Sequence, residues 1–178
     1  MRLELSRSTV RQWAVADLDA LSCHANNRQV SKHLRDRFPF PYEIQHGRKF
    51  LDWIGQQPAP TVWAIEVAGE AVGGIGIELH RDVERVSAEI GYWLGESAWG
   101  RGIVTEALIA VTAEMFRQFD LTRIYALPFA DNLASVRVLE KAGYALEGHL
   151  RQSAVKDGTI RDQRLYATYK SLDANLKK

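Results

Sequence analysis

The sequence predicts an α/β protein with a mixed sheet, and three patterns carry this prediction. Three segments rich in strand-forming residues follow one another between residues 61 and 94, separated by short turns. A glycine-containing loop and a long helical pattern separate the third segment from a fourth, which is typical of a βαβ crossover between parallel strands. Asp157-Gly158 joins two later segments and favours an antiparallel hairpin.

Length and composition indicate one globular domain over residues 1–178. The chain is 46% hydrophobic and 25% charged, and its formal net charge is +1. This charge balance gives no electrostatic case for binding nucleic acid or an anionic membrane. Cys23 is the single cysteine, which suits a reducing compartment, and no segment matches a signal peptide or a membrane helix. We therefore expect a cytoplasmic protein.

The first part of the chain is predicted to be mainly helical. A strand is expected between Arg2 and Trp13, and Asp17 is a candidate N-cap for the helix that follows. Residues 43–53 match a second helix, whose buried stripe should contain Phe50, Trp53 and Ile54. Three tryptophans are expected in the hydrophobic core: Trp13, Trp53 and Trp63.

The rest of the chain is predicted in the order of three strands, a helix, a strand, a helix and two strands. The predicted strands are Thr61–Val67, Ala71–Leu79, Val86–Leu94, Thr122–Leu127, Tyr144–Val155 and Ile160–Tyr169. The first helix spans Ile103–Phe119, and the second begins at an Asn132 cap and ends at Gly143. The strands on either side of the first helix should be parallel neighbours with a right-handed connection.

The loop from Gly95 to Gly102 is the most informative segment. The first N–H groups of a helix lack intrahelical partners and lie at the positive end of its dipole, and glycines let an anion approach them closely. The loop lacks the Lys-Ser/Thr of a Walker A motif, and Gly100-x-Gly102-x-x-Thr105 lacks the third glycine of a dinucleotide fingerprint. The spacing therefore predicts a phosphate-binding loop, with a simple connecting loop as the alternative.

Two motifs in this region resemble those of the GNAT superfamily of N-acetyltransferases. Ser97-Ala98-Trp99-Gly100-Arg101-Gly102 matches the family's phosphate motif, and Asn132-Leu133-Ala134-Ser135 through Lys141-Ala142-Gly143-Tyr144 matches its second motif. Glu-Ile-Gly-Tyr-Trp-Leu before the loop is similar to the ribosomal-protein-alanine N-acetyltransferase branch. The resemblance implies the GNAT fold, a mostly antiparallel sheet whose central parallel pair splays around the cofactor.

The resemblance also implies acetyl-CoA as cosubstrate and a set of residues that bind it. The pyrophosphate would lie on the N–H groups from Trp99 to Ile103, and the pantetheine arm would lie between the strand ending at Leu94 and the strand 122–127. The implied cofactor-binding residues are Trp93, Leu94, Trp99, Gly100, Arg101, Gly102, Ile103, Asn132 and Arg137. For Arg137 and Lys141, two roles stay open: a contact with the phosphates, or a solvated charge on the helix surface. Ser97 replaces the family's usual Gln or Arg, which removes a side chain but no backbone donor.

Glu89 is the candidate catalytic base. Acetyl transfer requires an amine that has lost its proton and a donor for the thioester oxygen, and the backbone N–H near Leu94 is the natural donor. A carboxylate in a central strand needs a reason, and the resemblance gives Glu89 the position of the base in histone-type relatives. A structural ion pair is the alternative role for Glu89, and Glu78 is the second candidate base.

Ser135 is the candidate partner of the leaving thiolate. Many relatives use a tyrosine at the position of Leu139, which has no proton to donate. The resemblance assigns this role to the serine of the Asn-x-x-Ser motif. The alternative is that Ser135 only completes the helix cap with Asn132.

The expected reaction is acetyl transfer to a primary amine, on a protein N-terminus or on a small amine or amino-acid-like compound. Residues 26–42 lie where the family places its acceptor-binding helices, although their charges also suit a solvated face. The resemblance leaves room for a homodimer. The five histidines show no metal-ligand spacing, so no metal is expected. A non-catalytic, CoA-binding regulatory module on the same fold is the alternative function.

Overall fold

Alternating apolar residues build an eight-stranded mixed sheet in the computed structural model, which describes residues 1–57 and 59–170. The strands are β1 (Leu3–Glu4), β2 (Thr9–Arg11), β3 (Val62–Val67), β4 (Glu70–Leu79), β5 (Ser87–Leu94), β6 (Arg123–Ala126), β7 (Ala145–Lys156) and β8 (Thr159–Tyr169). Their spatial order is β1-β2-β3-β4-β5-β6-β8-β7. The β5–β6 pair is parallel and the other neighbours are antiparallel. The predicted mixed sheet is confirmed.

The described residues form five α-helices. They are α1 (Leu18–Ala25), α2 (Arg28–Ser31), α3 (Ile44–Gly55), α4 (Ile103–Gln118) and α5 (Leu133–Lys141). Of these, α1, α3, α4 and α5 pack on the sheet. As predicted, α4 turns one apolar stripe inward, and its buried residues include Leu108, Val111 and Met115. In the described part of the chain, no helix combines the length and apolar character that crossing a bilayer requires.

The hydrophobic core has two parts, one on each face of the sheet. The larger part joins α4 and α5 to inward-facing strand residues such as Ile90 and Ile124. The smaller part joins Trp13 and Leu21 to Ala64 and Ala71, with Trp93 packed against it. The helices α1 and α3 therefore lie on one face of the sheet, and α4 and α5 lie on the other.

Two predictions about the first half of the chain need correction, and one short helix was not predicted. Trp53 is 48% exposed, so it does not belong to the core, although Trp13 and Trp63 do. The expected first strand is two short antiparallel strands, β1 and β2. The short helix α2 had no sequence signal, because four residues are too few to show a period.

Asp17 precedes α1 as predicted, but its carboxylate makes no cap bond to that helix and instead pairs with Arg11. The Arg11 guanidinium donates to both Asp17 oxygens, at 2.7 and 2.8 Å, and also to Glu66. Burial alone would raise the pKa of Asp17, but the bonds from Arg11 and from the Ala14 N–H hold that pKa below its usual value. The ionised carboxylate therefore adds stability above its unfolded pKa of about 3.9, which is lost as the pH falls through the lower folded value.

We expect Asp17→Ala to destabilise the protein by about 3 kcal/mol, because it leaves a largely buried guanidinium with one carboxylate partner. For a domain of this size the thermal midpoint should fall by roughly 8 °C. Glu4→Ala is the matched control, since it removes an exposed carboxylate from its ion pair with Arg2 and should leave the midpoint unchanged. Equal midpoints for the two variants in a thermal melt would contradict the structural role of Asp17.

Candidate active site

The central parallel pair of strands separates before it ends. The β5–β6 register runs from Ser87↔Arg123 to Glu89↔Tyr125 and stops there, although β5 continues to Leu94. The Gly95 N–H donates to the Val72 carbonyl at 2.8 Å, and ladder groups alternate in direction along a strand. The N–H and C=O groups of Tyr92 and Leu94 therefore point toward the gap. An extended amide-bearing molecule can pair with such an open edge.

The glycine loop continues from this open edge into α4. Gly100 and Gly102 have φ values of +73° and +74°, and Gly102 is the N-cap of α4. Residues with side chains rarely adopt this conformation, so both glycines are required by the backbone. A Cβ at Gly100 would meet no protein atom within 4 Å, which leaves the outer surface of the loop open to a ligand. The Trp99 indole N–H donates to the Leu94 carbonyl at 2.7 Å and ties the loop to the end of β5.

Ser6 and Arg7, which the sequence analysis did not identify as site residues, contact the start of α4 next to this loop. Glu106, in the first turn of α4, accepts bonds from the Ser6 N–H at 3.0 Å, the Ser6 hydroxyl at 2.6 Å and the Arg7 N–H at 3.1 Å. The Ser6 hydroxyl bond is the main reason that the pKa of Glu106 lies below its usual value. Arg7 extends beside Gly102, and Lys141 borders the same depression of about 360 Å³. Two cations thus flank the start of α4 and favour an anionic ligand there.

Ser135 lies across the gap from the open edge and has two hydrogen-bond partners. Its backbone N–H donates to Asn132 Oδ1 at 3.1 Å, which confirms Asn132 as the cap of α5. Its hydroxyl lies 2.8 Å from the Tyr92 hydroxyl, which also donates to the Ser135 carbonyl at 3.3 Å. Burial raises the pKa of Tyr92 well above its usual value, so the phenol stays protonated. The cap therefore uses the backbone of Ser135 and leaves the hydroxyl to the Tyr92 contact.

Glu89 lies at the point where β5 and β6 separate, on the opposite face of the strand from Tyr92. Its side chain is 19% exposed and pairs with Arg35. Glu78 stands directly across from Glu89 on β4, is 61% exposed and lies 4.0 Å from Arg35 and 3.6 Å from Arg37. Arg35 thus offsets the repulsion between two facing carboxylates. The ion pair that the sequence left as an alternative is present, and the role of base stays a prediction.

Two further side chains complete the polar surface around Glu89. Tyr125 faces Glu89 in the parallel register, and its hydroxyl lies 2.9 Å from His80 Nε2. Burial, together with the negative charge of Glu89, raises the pKa of Tyr125. No sequence motif marks this pair, because the sheet alone brings residues 80 and 125 together.

The remaining predicted cofactor residues differ in how they can meet a ligand. Trp93 pairs with Gly74 of β4, and its indole packs near Phe38 on the face of α1 and α3. Ile103 is 1% exposed, so only its backbone can reach a ligand. Arg101 and Arg137 are exposed. Leu139, where many relatives carry a tyrosine, is fully buried.

A parallel pair that opens beside a glycine loop at a helix N-terminus is the arrangement that the resemblance to CoA-dependent acyltransferases implies. The model of the acetyltransferase (GNAT) domain matches residues 7–145, and the chain belongs to this family. It is an acetyl-CoA-dependent N-acetyltransferase. The fold and the cosubstrate implied by the sequence motifs are therefore confirmed.

Similar proteins cover nearly the whole chain. YoaA of Bacillus subtilis (strain 168), named an uncharacterized N-acetyltransferase, is 31% identical over 94% of this chain and 96% of its own length. The ribosomal-protein-serine acetyltransferase of Escherichia coli (strain K12) is 38% identical, over 46% of this chain and 45% of its own. The structure of Mycobacterium smegmatis RimJ in complex with CoA-disulfide is 26% identical, with a TM-score of 0.81 over 91% of this chain and 81% of that one.

We expect Gly100→Val and Gly102→Val to weaken CoA binding more than tenfold, because a branched side chain would cover the N–H groups at the start of α4. Gly69→Val is the matched control, since Gly69 also has a positive φ, of +86°, in the β3–β4 turn. It should show the same backbone strain with unchanged CoA affinity. Calorimetry that found full CoA affinity in both loop variants would refute the phosphate-binding role.

Proposed function

We propose that this enzyme acetylates the α-amino group of a peptide or protein by direct attack of the amine on the bound thioester. The observation that carries the proposal is the end of β5–β6 pairing at Glu89, which exposes the Leu94 N–H beside the glycine loop. Along the chain, the Glu89 carboxylate comes first, the open edge at Tyr92 and Leu94 comes next, and the glycine loop follows the end of β5. This order matches what the reaction needs: a base, a donor for the developing oxyanion and an anchor for the phosphates.

The residues at the start of α4 suit the phosphate end of acetyl-CoA. The unpaired backbone N–H groups in the first turn of α4 lie at an open surface, and Arg7 and Lys141 stand at the border of that surface. The open edge at Tyr92 would hold a pantetheine amide, because the Leu94 carbonyl already accepts from the Trp99 indole. Asn132 stands at the opposite wall. When bound, acetyl-CoA supplies the acetyl group as a thioester, whose carbonyl becomes more basic as the amine adds. The Leu94 N–H would stabilise that oxygen.

Glu89 would accept the proton of the attacking amine. An α-amino group has a pKa near 8, so it is mostly protonated at neutral pH and must lose a proton before it attacks. Glu89 is partly exposed at the mouth of the gap, which an acceptor can approach from the face of α1 and α3. An amine that displaces Arg35 from this carboxylate would come within hydrogen-bond reach of it.

Ser135 would stabilise or protonate the departing thiolate, and Tyr92 would position it. Tyr92 has one hydroxyl proton, which it can donate to the Ser135 carbonyl or to the Ser135 hydroxyl; when it donates to the hydroxyl, the serine proton is free to turn to the leaving sulfur. A thiol with a pKa near 8.5 is a fair leaving group, so this assistance is expected to be modest.

The peptide acceptor is supported by relatives rather than by a single residue. The ribosomal-protein-serine acetyltransferase aligns with 46% of this chain, and its name states a protein substrate. The polar side chains of Glu78, Glu89 and Tyr125 also lie together near Arg35, and Glu78 is 61% exposed. Thiol release from acetyl-CoA, measured with N-terminal peptides and small amines, tests the whole proposal. CoA binding without thiol release for any acceptor would favour the non-catalytic module.

We expect Glu89→Gln to reduce kcat by about 10²–10⁴-fold near neutral pH, because glutamine keeps the shape but cannot accept a proton. The deficit should shrink above pH 8, where the amine loses its proton without help. The measurement is a pH–rate profile with one peptide acceptor.

Glu78→Gln is the control for this prediction, since it changes the facing, more exposed carboxylate in the same way. It should reduce kcat by less than threefold. A larger loss in Glu78→Gln than in Glu89→Gln would move the role of base to Glu78. Losses under threefold in both variants would leave water, or no base, in that role.

We expect Ser135→Ala to lower kcat by roughly ten- to a hundredfold with an unchanged KM for acetyl-CoA. Alanine keeps the N–H that donates to Asn132, so the thermal midpoint should hardly change. Asn132→Ala should instead lower that midpoint, since it removes the cap at a cost of about 1 kcal/mol. A stable Ser135→Ala protein with normal turnover would show that the serine serves only the helix cap.

A further inference from the structure

A second cavity, of about 330 Å³, lies between α2 and the turn of the β7–β8 hairpin. Its walls carry four cationic side chains against two acidic ones, Asp131 and Asp157. The four cations are Arg28, Lys32, Lys156 and Arg161. We call this cavity, with the residues that line it, the basic pocket. Nothing in the acetyl-transfer chemistry above makes use of them.

The buried members of the ion pairs in the basic pocket are the cations. The Lys156 side chain is 6% exposed and that of Arg161 is 16% exposed, whereas their partners Asp36 and Asp131 are 73% and 67% exposed. A buried charge loses hydration and depends on its partners. Arg28 pairs with Asp157 at 2.7 Å, so four cations meet three carboxylates. Lys32 is the cation that has no carboxylate partner in the described part of the chain, and an additional anion would balance its charge.

Arg161 is held in place before any ligand arrives. Its guanidinium carbon lies 4.0 Å from the centroid of the Phe129 ring, and one N–H group donates to the Lys32 carbonyl at 2.9 Å. Stacking on an aromatic ring and a fixed hydrogen bond reduce the conformational entropy that a planar guanidinium loses on binding a carboxylate. The pocket therefore presents an ordered donor group.

His33 adds an uncharged polar group to the same wall. Burial is the main cause that keeps its pKa below the usual value, and the charges of Lys32 and Arg161 act in the same direction. Its ring is therefore neutral at neutral pH, and its buried Nδ1 has no hydrogen-bond partner within residues 1–57 and 59–170. Buried polar atoms normally have such a partner.

The basic pocket adjoins the two halves of the candidate active site. The chain that carries Lys32 continues to Arg35, which pairs with Glu89. On the other side, Asp131 immediately precedes Asn132, the cap that holds Ser135. Asp36, which pairs with Lys156 of the pocket, directly follows Arg35 in the chain, so one short segment contacts both the basic pocket and Glu89.

We propose that the basic pocket binds a carboxylate of the acceptor and makes the enzyme selective for amines with an acidic group close to the reacting nitrogen. The inference rests on the proposed function and names its substrate class. The carboxylate belongs to an acidic side chain near a peptide N-terminus or to a small amino acid. The two sources share one recognition chemistry, a carboxylate among arginine and lysine donors.

The test compares two sets of peptides that differ by Glu against Gln at positions two to four, with free glutamate and glutamine as the small-molecule arm. For the wild-type enzyme we expect at least a tenfold higher kcat/KM for the acidic member of one arm, and that arm identifies the source. The same peptides and amino acids, titrated against the enzyme saturated with CoA, give a preference in Kd that needs no turnover. A charge-assisted hydrogen bond accounts for a preference of this size.

The variant Arg28→Gln/Lys32→Gln removes the exposed cation Arg28 and the half-buried cation Lys32, and it keeps the Lys32 backbone carbonyl that accepts from Arg161. We expect it to lose the preference for acidic acceptors and to keep kcat/KM for neutral acceptors within twofold. The matched control is Arg48→Gln/Lys49→Gln, which removes two exposed cations from α3 and should keep the preference.

Absence of any acidic preference in the wild-type enzyme, in both kinetics and binding, would overturn the inference. So would a preference that survives in the pocket variant or disappears equally in the α3 control. Turnover of neutral acceptors without acidic preference would leave the proposed function intact. Conversely, pocket-dependent binding of acidic acceptors without acetyl transfer would support the basic pocket and refute the proposed function.

Discussion

The hydrogen bonding between β5 and β6 stops at Glu89 and Tyr125, and the rest of the site depends on that interruption. A parallel pair that continued to Leu94 would use its backbone groups within the sheet. Because the pairing ends, the edge of β5 is left for a ligand, and the chain that leaves β5 turns through the glycine loop into α4. On the other side of the opening, the chain that leaves β6 leads to Asn132, the N-cap of α5.

The two-residue period of a β-strand divides the chemistry between the two faces of the sheet. Glu89 faces α1 and the loop that carries Arg35, whereas Tyr92 faces α5 and Ser135. The candidate base and the candidate partner of the leaving group therefore lie on opposite sides of one strand. A proton taken from the amine and a proton given to the thiolate need not compete for the same group.

Local signals in the sequence predicted most of the fold and the position of the glycine loop before α4. Gly100 and Gly102 adopt the positive φ values that only glycine readily adopts, and the Asn132 cap and the Asp157-Gly158 turn likewise depend on neighbouring residues alone. Trp53 was wrongly placed in the core, because helical periodicity shows that one face is apolar but does not show how far the neighbouring elements cover it. The division of the chain into one domain over residues 1–178 stays an expectation.

Contacts between distant parts of the chain were beyond sequence reasoning. The Tyr92–Ser135 bond joins residues that are 43 positions apart, and the Ser6–Glu106 bond spans 100 positions. Helical and strand periods relate residues that are only a few positions apart, so they cannot predict either contact. Each of the basic pocket's cations also resembles an ordinary surface charge in the sequence. Only the packing of α2 against the hairpin shows that two of these cations are largely removed from solvent.

The pairing of Arg35 with Glu89 also has a consequence for water. If Glu89 is the base, a carboxylate that stood free beside a bound thioester would also be open to water, which is a weaker nucleophile than an amine. Acetyl-CoA would then be hydrolysed whenever no acceptor was bound. With Glu89 as the base, the ion pair with Arg35 would keep the carboxylate from activating water until an amine replaced the arginine.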